Sequence, residues 1–139
     1  MATISRRTAR ESAVKALYSY EFNADVQMDA AAFFALICEE AEIPTNDFAV
    51  SLYTGTISHM AEIDEKIIEY AKGWKKERIA RMTLAIMRLC VYELLFSDVP
   101  RAVAINEAIE IAKTYDTDDA PAFINGILNS IAKEIGTKE

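Results

Sequence analysis

The sequence predicts an all-α fold, a single helical domain of about seven helices built around one buried central helix. Three observations carry the prediction. Apolar residues recur three and four positions apart along most of the chain, and strand-like alternation persists nowhere. Residues 78–96, RIARMTLAIMRLCVYELLF, place Leu84, Ala85, Ile86, Met87, Leu89, Cys90, Val91, Leu94, Leu95 and Phe96 on every side of a helix, which must then be enclosed by other helices or by lipid. Arg88 and Glu93 interrupt this stretch, and its apolar runs fall far short of the roughly 20 residues that span a bilayer, so the enclosure is by helices and no membrane is involved.

The first helix starts after Ser5, a suitable N-cap, and Ala9, Ala13, Ala16, Leu17 and Tyr20 give it a slim apolar face. Residues 1–5 precede it as a flexible arm. A loop follows over residues 25–29. A second helix runs over about residues 30–42, with Phe33, Phe34, Leu36, Ile37 and Ala41 inward. Pro44-Thr45-Asn46-Asp47 turns the chain into a third, with Phe48, Val50, Leu52, Tyr53 and Ile57 inward. The pattern resets near His59, and Met60, Ile63, Ile67, Tyr70, Ala71 and Trp74 form the next stripe. Gly73 relaxes the chain before the central helix, which begins near Glu77. Asp98-Val99-Pro100 ends that helix, because a residue before proline is pushed out of the α region. The short connection makes the next helix, VAINEAIEIAK, an antiparallel neighbour. Thr117-Asp118-Asp119-Ala120-Pro121 opens the last helix with a capping acid and a proline in the first turn, and Gly136 closes it.

At 139 residues the chain is one domain, 1–139, large enough to bury a real core. Its 52% hydrophobic and 27% charged residues fit a globular protein. The arginines of MATISRRTARE are not followed by an apolar stretch, unlike a secretory signal, so a cytoplasmic location is expected. Cys38 and Cys90 read as buried, reduced thiols. None of the four glycines forms a phosphate-cradling loop. One histidine, His59, and no CxxC pair leave no metal site to expect. The pair Asp118-Asp119 serves better as a cap than as acid/base machinery. No catalytic residue, cofactor or metal is expected, and the protein reads as something other than an enzyme.

The net charge of −7 is unevenly spread. Residues 1–15 carry Arg6, Arg7, Arg10 and Lys15 against Glu11 alone, residues 16–65 hold ten acids and no Lys or Arg, and residues 66–88 hold seven bases against two acids. Two basic islands in an acidic chain are either local anion-binding surfaces or solvated helix faces. Arg6, Arg7 and Arg10 sit at the positive end of the first helix's dipole, where cations are mildly disfavoured, and this placement points to phosphate contact.

Three segments together resemble the NusB family of bacterial transcription antitermination factors: RRTARESAVKALYSYEF at 6–22, AIMRLCVYELLFSDVPRAVAINEAIEIAK at 85–113, and DDAPAFINGIL at 118–128. The resemblance implies an all-helical RNA-binding protein that pairs with a ribosomal small-subunit protein, NusE in this role. The pair would bind boxA sequences in single-stranded leader RNA and join the RNA polymerase antitermination complex that promotes ribosomal RNA transcription. Some relatives form homodimers, so a second copy is a further partner to consider. The family's RNA contacts map onto Arg6, Arg7, Arg10, Tyr18, Tyr70, Asp119 and Phe123. Guanidinium groups bind phosphate bidentately and stack on bases, aromatic faces hold splayed bases, and an acid accepts from base edges. By pattern alone Tyr18 and Phe123 would be core. Lys72, Lys75 and Lys76 would extend the basic track.

For Asn125-Gly126 the structural reading is a glycine that admits a neighbouring helix and an asparagine bonded locally, while Asn106 and Glu107 support contacts between helices or a protein partner. The chain departs from the family in four places, the first being Thr8 within the arginine run of the amino-terminal arm, which leaves fewer charges there than some relatives carry. Tyr115-Asp116 replaces a common Phe-Gly, so that loop should differ; Ala120 replaces a common serine; and Thr83 stands where some relatives place an acid facing the ribosomal protein. Two other readings compete. The helical fold also resembles the amino-terminal domain of ribosomal RNA cytosine methyltransferases, although no glycine motif or catalytic cysteine follows here. A structural homodimer without RNA affinity is the other.

Overall fold

The first three helices each begin at a residue whose side chain accepts from one of the backbone N–H groups that a helix start leaves unpaired. In the computed structural model, which describes residues 3–21 and 28–136, Ser5 accepts from the Thr8 amide at 3.0 Å and opens α1 (Arg6–Tyr20). Asp29 accepts from the Ala32 amide to open α2 (Ala30–Glu40), and Asn46 from the Ala49 amide to open α3 (Asp47–Ser58). There follow α4 (Met60–Tyr70), a 3₁₀ turn over Lys76–Arg78, α5 (Arg81–Phe96), α6 (Arg101–Tyr115) and α7 (Ala120–Ile135). Among the described residues these are seven α-helices and no strand. No helix is long and apolar enough to cross a membrane. Residues 1–2 of the expected arm and 25–27 of the expected loop lie outside the described residues.

Helix α5 is the centre, as its apolar circumference requires. It packs against α1, α3, α4, α6 and α7, while α2 covers α1 and α3. Every residue from Thr83 to Val91 is buried. The small residues of α1, Ala9, Ala13 and Ala16, are fully buried, which lets two backbones approach closely. Cys38 and Cys90 are both buried and are not joined in a disulfide.

The charged interruptions of α5 are tied into the core. The Arg88 guanidinium, 2% exposed, donates Nε to Asp64 Oδ1 and Nη2 to Asp64 Oδ2, both at 2.8 Å, and a third N–H to Glu21. Burial works against its charge, but these carboxylates more than offset that and hold its pKa above the ordinary value. On the opposite end Glu93, 1% exposed, accepts both arms of Arg10 at 2.8 and 2.9 Å. These contacts fix α1 antiparallel to α5, with Arg10 beside Glu93 near the end of the central helix and Glu21 beside Arg88 at its middle.

Four expectations need correction. The central helix begins at Arg81, because the chain first makes the 3₁₀ turn and an extended step that buries Ile79. Trp74 lies off the α4 stripe: α4 ends at Tyr70, and Gly73 at φ +81 redirects the chain. Helix α2 stops at Glu40, and Glu42 takes the left-handed conformation at φ 53 beyond it. Gly126 admits no neighbouring helix, since a Cβ there would meet nothing within 4 Å. The close approach is at Gly55, where a Cβ would stand 2.4 Å from the Tyr92 ring.

Candidate nucleic-acid interface

Helix α1 turns one stripe outward, and Arg7, Glu11, Lys15 and Tyr18 recur along it at helical spacing. Arg6 and Arg7 are exposed at its first turn. The Arg6 guanidinium lies 4.3 Å from the centroid of the Phe48 ring, a cation–π contact that holds the charge at the surface. Arg7 donates Nε and Nη2 to Glu107 of α6 at 2.9 and 2.8 Å, while its side chain stays 48% exposed. The hydrogen bonds from Arg7 hold the Glu107 carboxyl below the usual carboxylate range. Further along, Lys15 Nζ sits 5.2 Å from the centroid of the Tyr115 ring at the end of α6. Tyr18, 36% exposed, follows one turn later on the same stripe.

At the end of α6 the stripe meets a cleft. Asp116 accepts from the Thr83 hydroxyl at 2.6 Å and from the Thr117 amide at 2.8 Å. Its backbone is extended, at φ −112, so side-chain hydrogen bonds replace the left-handed turn that a glycine would make here. Thr83 is therefore buried and committed within the chain. Beyond it, Trp74, Arg78, Thr83, Thr117, Asp119 and Phe123 line an open cleft of about 220 Å³. Asp119 is the exposed N-cap residue of α7, but its carboxylate makes no bond to the helix backbone. It accepts from the Thr117 hydroxyl at 2.7 Å, which keeps it at the rim of the cleft; the expected backbone cap is not made. Phe123, one turn into α7, is half-buried and meets Trp74 edge-on at 5.8 Å between centroids.

Two expected site residues stand apart. Arg10 is 4% exposed and both arms of its guanidinium are held by Glu93, so it offers no free edge to a phosphate; it belongs to the core. Tyr70 donates its hydroxyl to Glu134 Oε1 at 2.5 Å, beside the ion pair between Lys66 and Glu134, and this bond raises its pKa to about 12. Glu134 lies eleven residues beyond Phe123 on α7, about 16 Å along the helix, so Tyr70 is outside the cleft. Trp74 faces Phe123 in its place, and sequence pattern missed it because a one-turn extension of the α4 stripe fits it equally well. Asn125 bonds locally as expected, accepting from Asn129 through both its carbonyls at 2.8 Å.

Fold and surface together define a class: a helical bundle whose first helix turns Arg6, Arg7, Lys15 and Tyr18 outward, beside a cleft walled by aromatic rings. The family follows from comparison with known proteins. The NusB family model matches residues 7–133, and the chain belongs to the NusB family. The transcription antitermination protein NusB of Geobacter sulfurreducens is 44% identical over 138 residues, covering 96% of this chain and 98% of its own. That of Wolinella succinogenes is 41% identical, covering 94% and 96%. Among solved structures, a T. maritima NusB superposes with a TM-score of 0.82 at 35% identity, covering 96% of this chain and 94% of that one. A crystal structure of the antitermination factors NusB and NusE in complex with dsRNA gives 0.79 at 26% identity, covering 93% and 96%.

Proposed function

We propose that this protein is a transcription antitermination factor that binds boxA-type RNA together with the ribosomal small-subunit protein NusE, within the RNA polymerase antitermination complex, in the cytoplasm. It is a binding factor rather than an enzyme. The observation that carries the reading is the continuity of one face: Arg6, Arg7, Lys15 and Tyr18 on α1 lead past Tyr115 to Asp119 and Phe123. Arginines at the start of the stripe supply phosphate contacts, Tyr18 and Phe123 supply stacking surfaces, and Asp119 supplies an acceptor for base edges. Arg10 supports this face from beneath by fixing α1 on α5. The similar structure of NusB and NusE in complex with dsRNA supports the choice of protein partner.

The test is binding of a single-stranded boxA-like RNA against a scrambled control, with and without NusE, across a salt series. The expected result is preference for the boxA-like RNA, strengthened by NusE and weakened by salt. Absence of binding to either RNA at low salt, with NusE present, overturns the reading and leaves the basic islands as solvated helix faces.

A further inference from the structure

We propose that the cleft between the α4–α5 connection and the start of α7 is a subsite for one unpaired RNA base, with Trp74 as its stacking wall and Arg78 as its phosphate contact. This rests on the RNA-binding reading above and adds two residues that reading does not use.

Trp74 is the only tryptophan of the chain and is 51% exposed. An indole of this size normally contributes most of its area to a core. It is held outward by the backbone. Gly73 adopts φ +81, where glycine is unstrained, and the Trp74 amide donates to the Ala71 carbonyl at 2.8 Å. The ring is fixed on one side by Phe123, at 71° between planes, and the space beside the pair is open. A cleft of about 220 Å³ lies below the roughly 300–1,000 Å³ of drug-sized sites, which suits a single base.

Charge selects the occupant. Lys72, Lys75 and Arg78 are exposed around Trp74, and among the described residues Lys75 and Arg78 pair with no carboxylate. Arg78 borders both this cleft and the adjoining one, which Lys76 and Arg81 line together with Glu21 and Glu77. An aromatic wall, a free guanidinium and the acceptor Asp119 at one rim match the three parts of a nucleotide in a single strand: base face, phosphate and base edge. A base within a duplex would keep its face stacked and could not enter.

The test uses the full chain with NusE and a labelled boxA-like RNA. Affinity is read by anisotropy and Trp74 directly by its emission, with Trp74→Phe as the blank. Emission should be quenched along the same curve as the anisotropy rise. Trp74→Ala should weaken binding about tenfold with its salt slope unchanged, while Trp74→Phe stays within about twofold, since any aromatic face stacks. Arg78→Ala should reduce the salt slope by about 0.7, one phosphate of a single strand. RNA binding with unmoved emission and wild-type affinity in Trp74→Ala overturns this subsite and leaves the RNA-binding reading standing. Loss of NusE affinity or of self-association in Trp74→Ala, with RNA affinity intact, also overturns it and makes the cleft a protein-docking site. If no RNA binds the wild type, both readings fall together.

Discussion

Arg7 and Arg10 are three residues apart and carry the same charge, yet their surroundings separate them. Arg7 keeps 48% of its side chain in solvent while bound to Glu107. Arg10 is buried against Glu93, where it neutralises a carboxylate that is itself 1% exposed. Removing one partner of a buried pair strands the other, at a cost of about 3–5 kcal/mol. Arg10→Ala should therefore lower the unfolding midpoint sharply in urea, whereas Arg7→Ala should lower it far less, by loss of the half-exposed tie to Glu107, and should flatten the salt dependence of RNA binding by about 0.7. Equal effects of both variants on RNA binding, with no stability difference, would refute the division. The sequence held a signal for it. Arg10 lies on the helical line of Ala13, Val14 and Leu17, all buried, and an acid inside the central helix needs a cationic partner. Reading the arginine run as a unit hid that signal, because charge patterning counts residues without asking which side of the helix they take.

Packing between elements turns on small details that sequence leaves open. Gly55 and Gly126 both lie inside helices, and both look like sites of close approach. Only Gly55 is one, because Tyr92 of α5 leans on it and is itself held by a tilted contact with Phe96 and a stacked one with His59. Alanine is favoured over glycine in a helix interior by about 1 kcal/mol. Gly126→Ala should thus stabilise the protein by about that amount, whereas Gly55→Ala must displace the Tyr92 ring and should destabilise by about 1–3 kcal/mol. Chemical denaturation of both variants checks the sign of each; stabilisation by Gly55→Ala would mean that Tyr92 swings away freely. The α1–α6 tie is the electrostatic counterpart. Glu107 titrates below its ordinary range in the folded state because Arg7 binds its charged form, so the folded carboxylate resists protonation more than the unfolded one. The pair's stabilisation is then complete above the unfolded carboxylate value, and is lost as pH falls from there through the folded value. In thermal unfolding across acidic pH, Glu107→Gln should lie below wild type near neutrality and converge with it in acid. Curves that stay parallel to low pH would show that the tie contributes nothing.

Across the whole molecule, the architecture was legible because it follows from one physical necessity. A helix apolar on all sides has to be surrounded, and the chain offers six amphipathic segments to do so. The face proposed to contact RNA was legible only in part. Helical spacing orders Arg7, Lys15 and Tyr18 along α1, but the meeting of that stripe with Asp119 and Phe123 depends on tertiary contacts, Lys15 on Tyr115 and Thr83 on Asp116. Trp74 was misassigned for the same reason: a left-handed glycine ends the stripe on which periodicity had placed it. These placements decide how an acidic protein binds a polyanion at all. With a net charge of −7, long-range attraction is unfavourable, so affinity has to come from bases gathered on one face, within the roughly 8–10 Å that salt leaves unscreened. Four such bases, Arg6, Arg7, Lys15 and Arg78, border the stripe and the cleft. Each phosphate contact in a single strand contributes about 0.7 to the slope of log affinity against log salt, so the protein's own slope should be close to about −3. Binding titrations of the boxA-like RNA at several salt concentrations measure it, with the NusE contribution subtracted from a parallel series. A slope near zero would mean that stacking alone carries the RNA. A slope much steeper than this would extend the interface into Lys72, Lys75 and Lys76, whose combined replacement by alanine should then return it to the lower value.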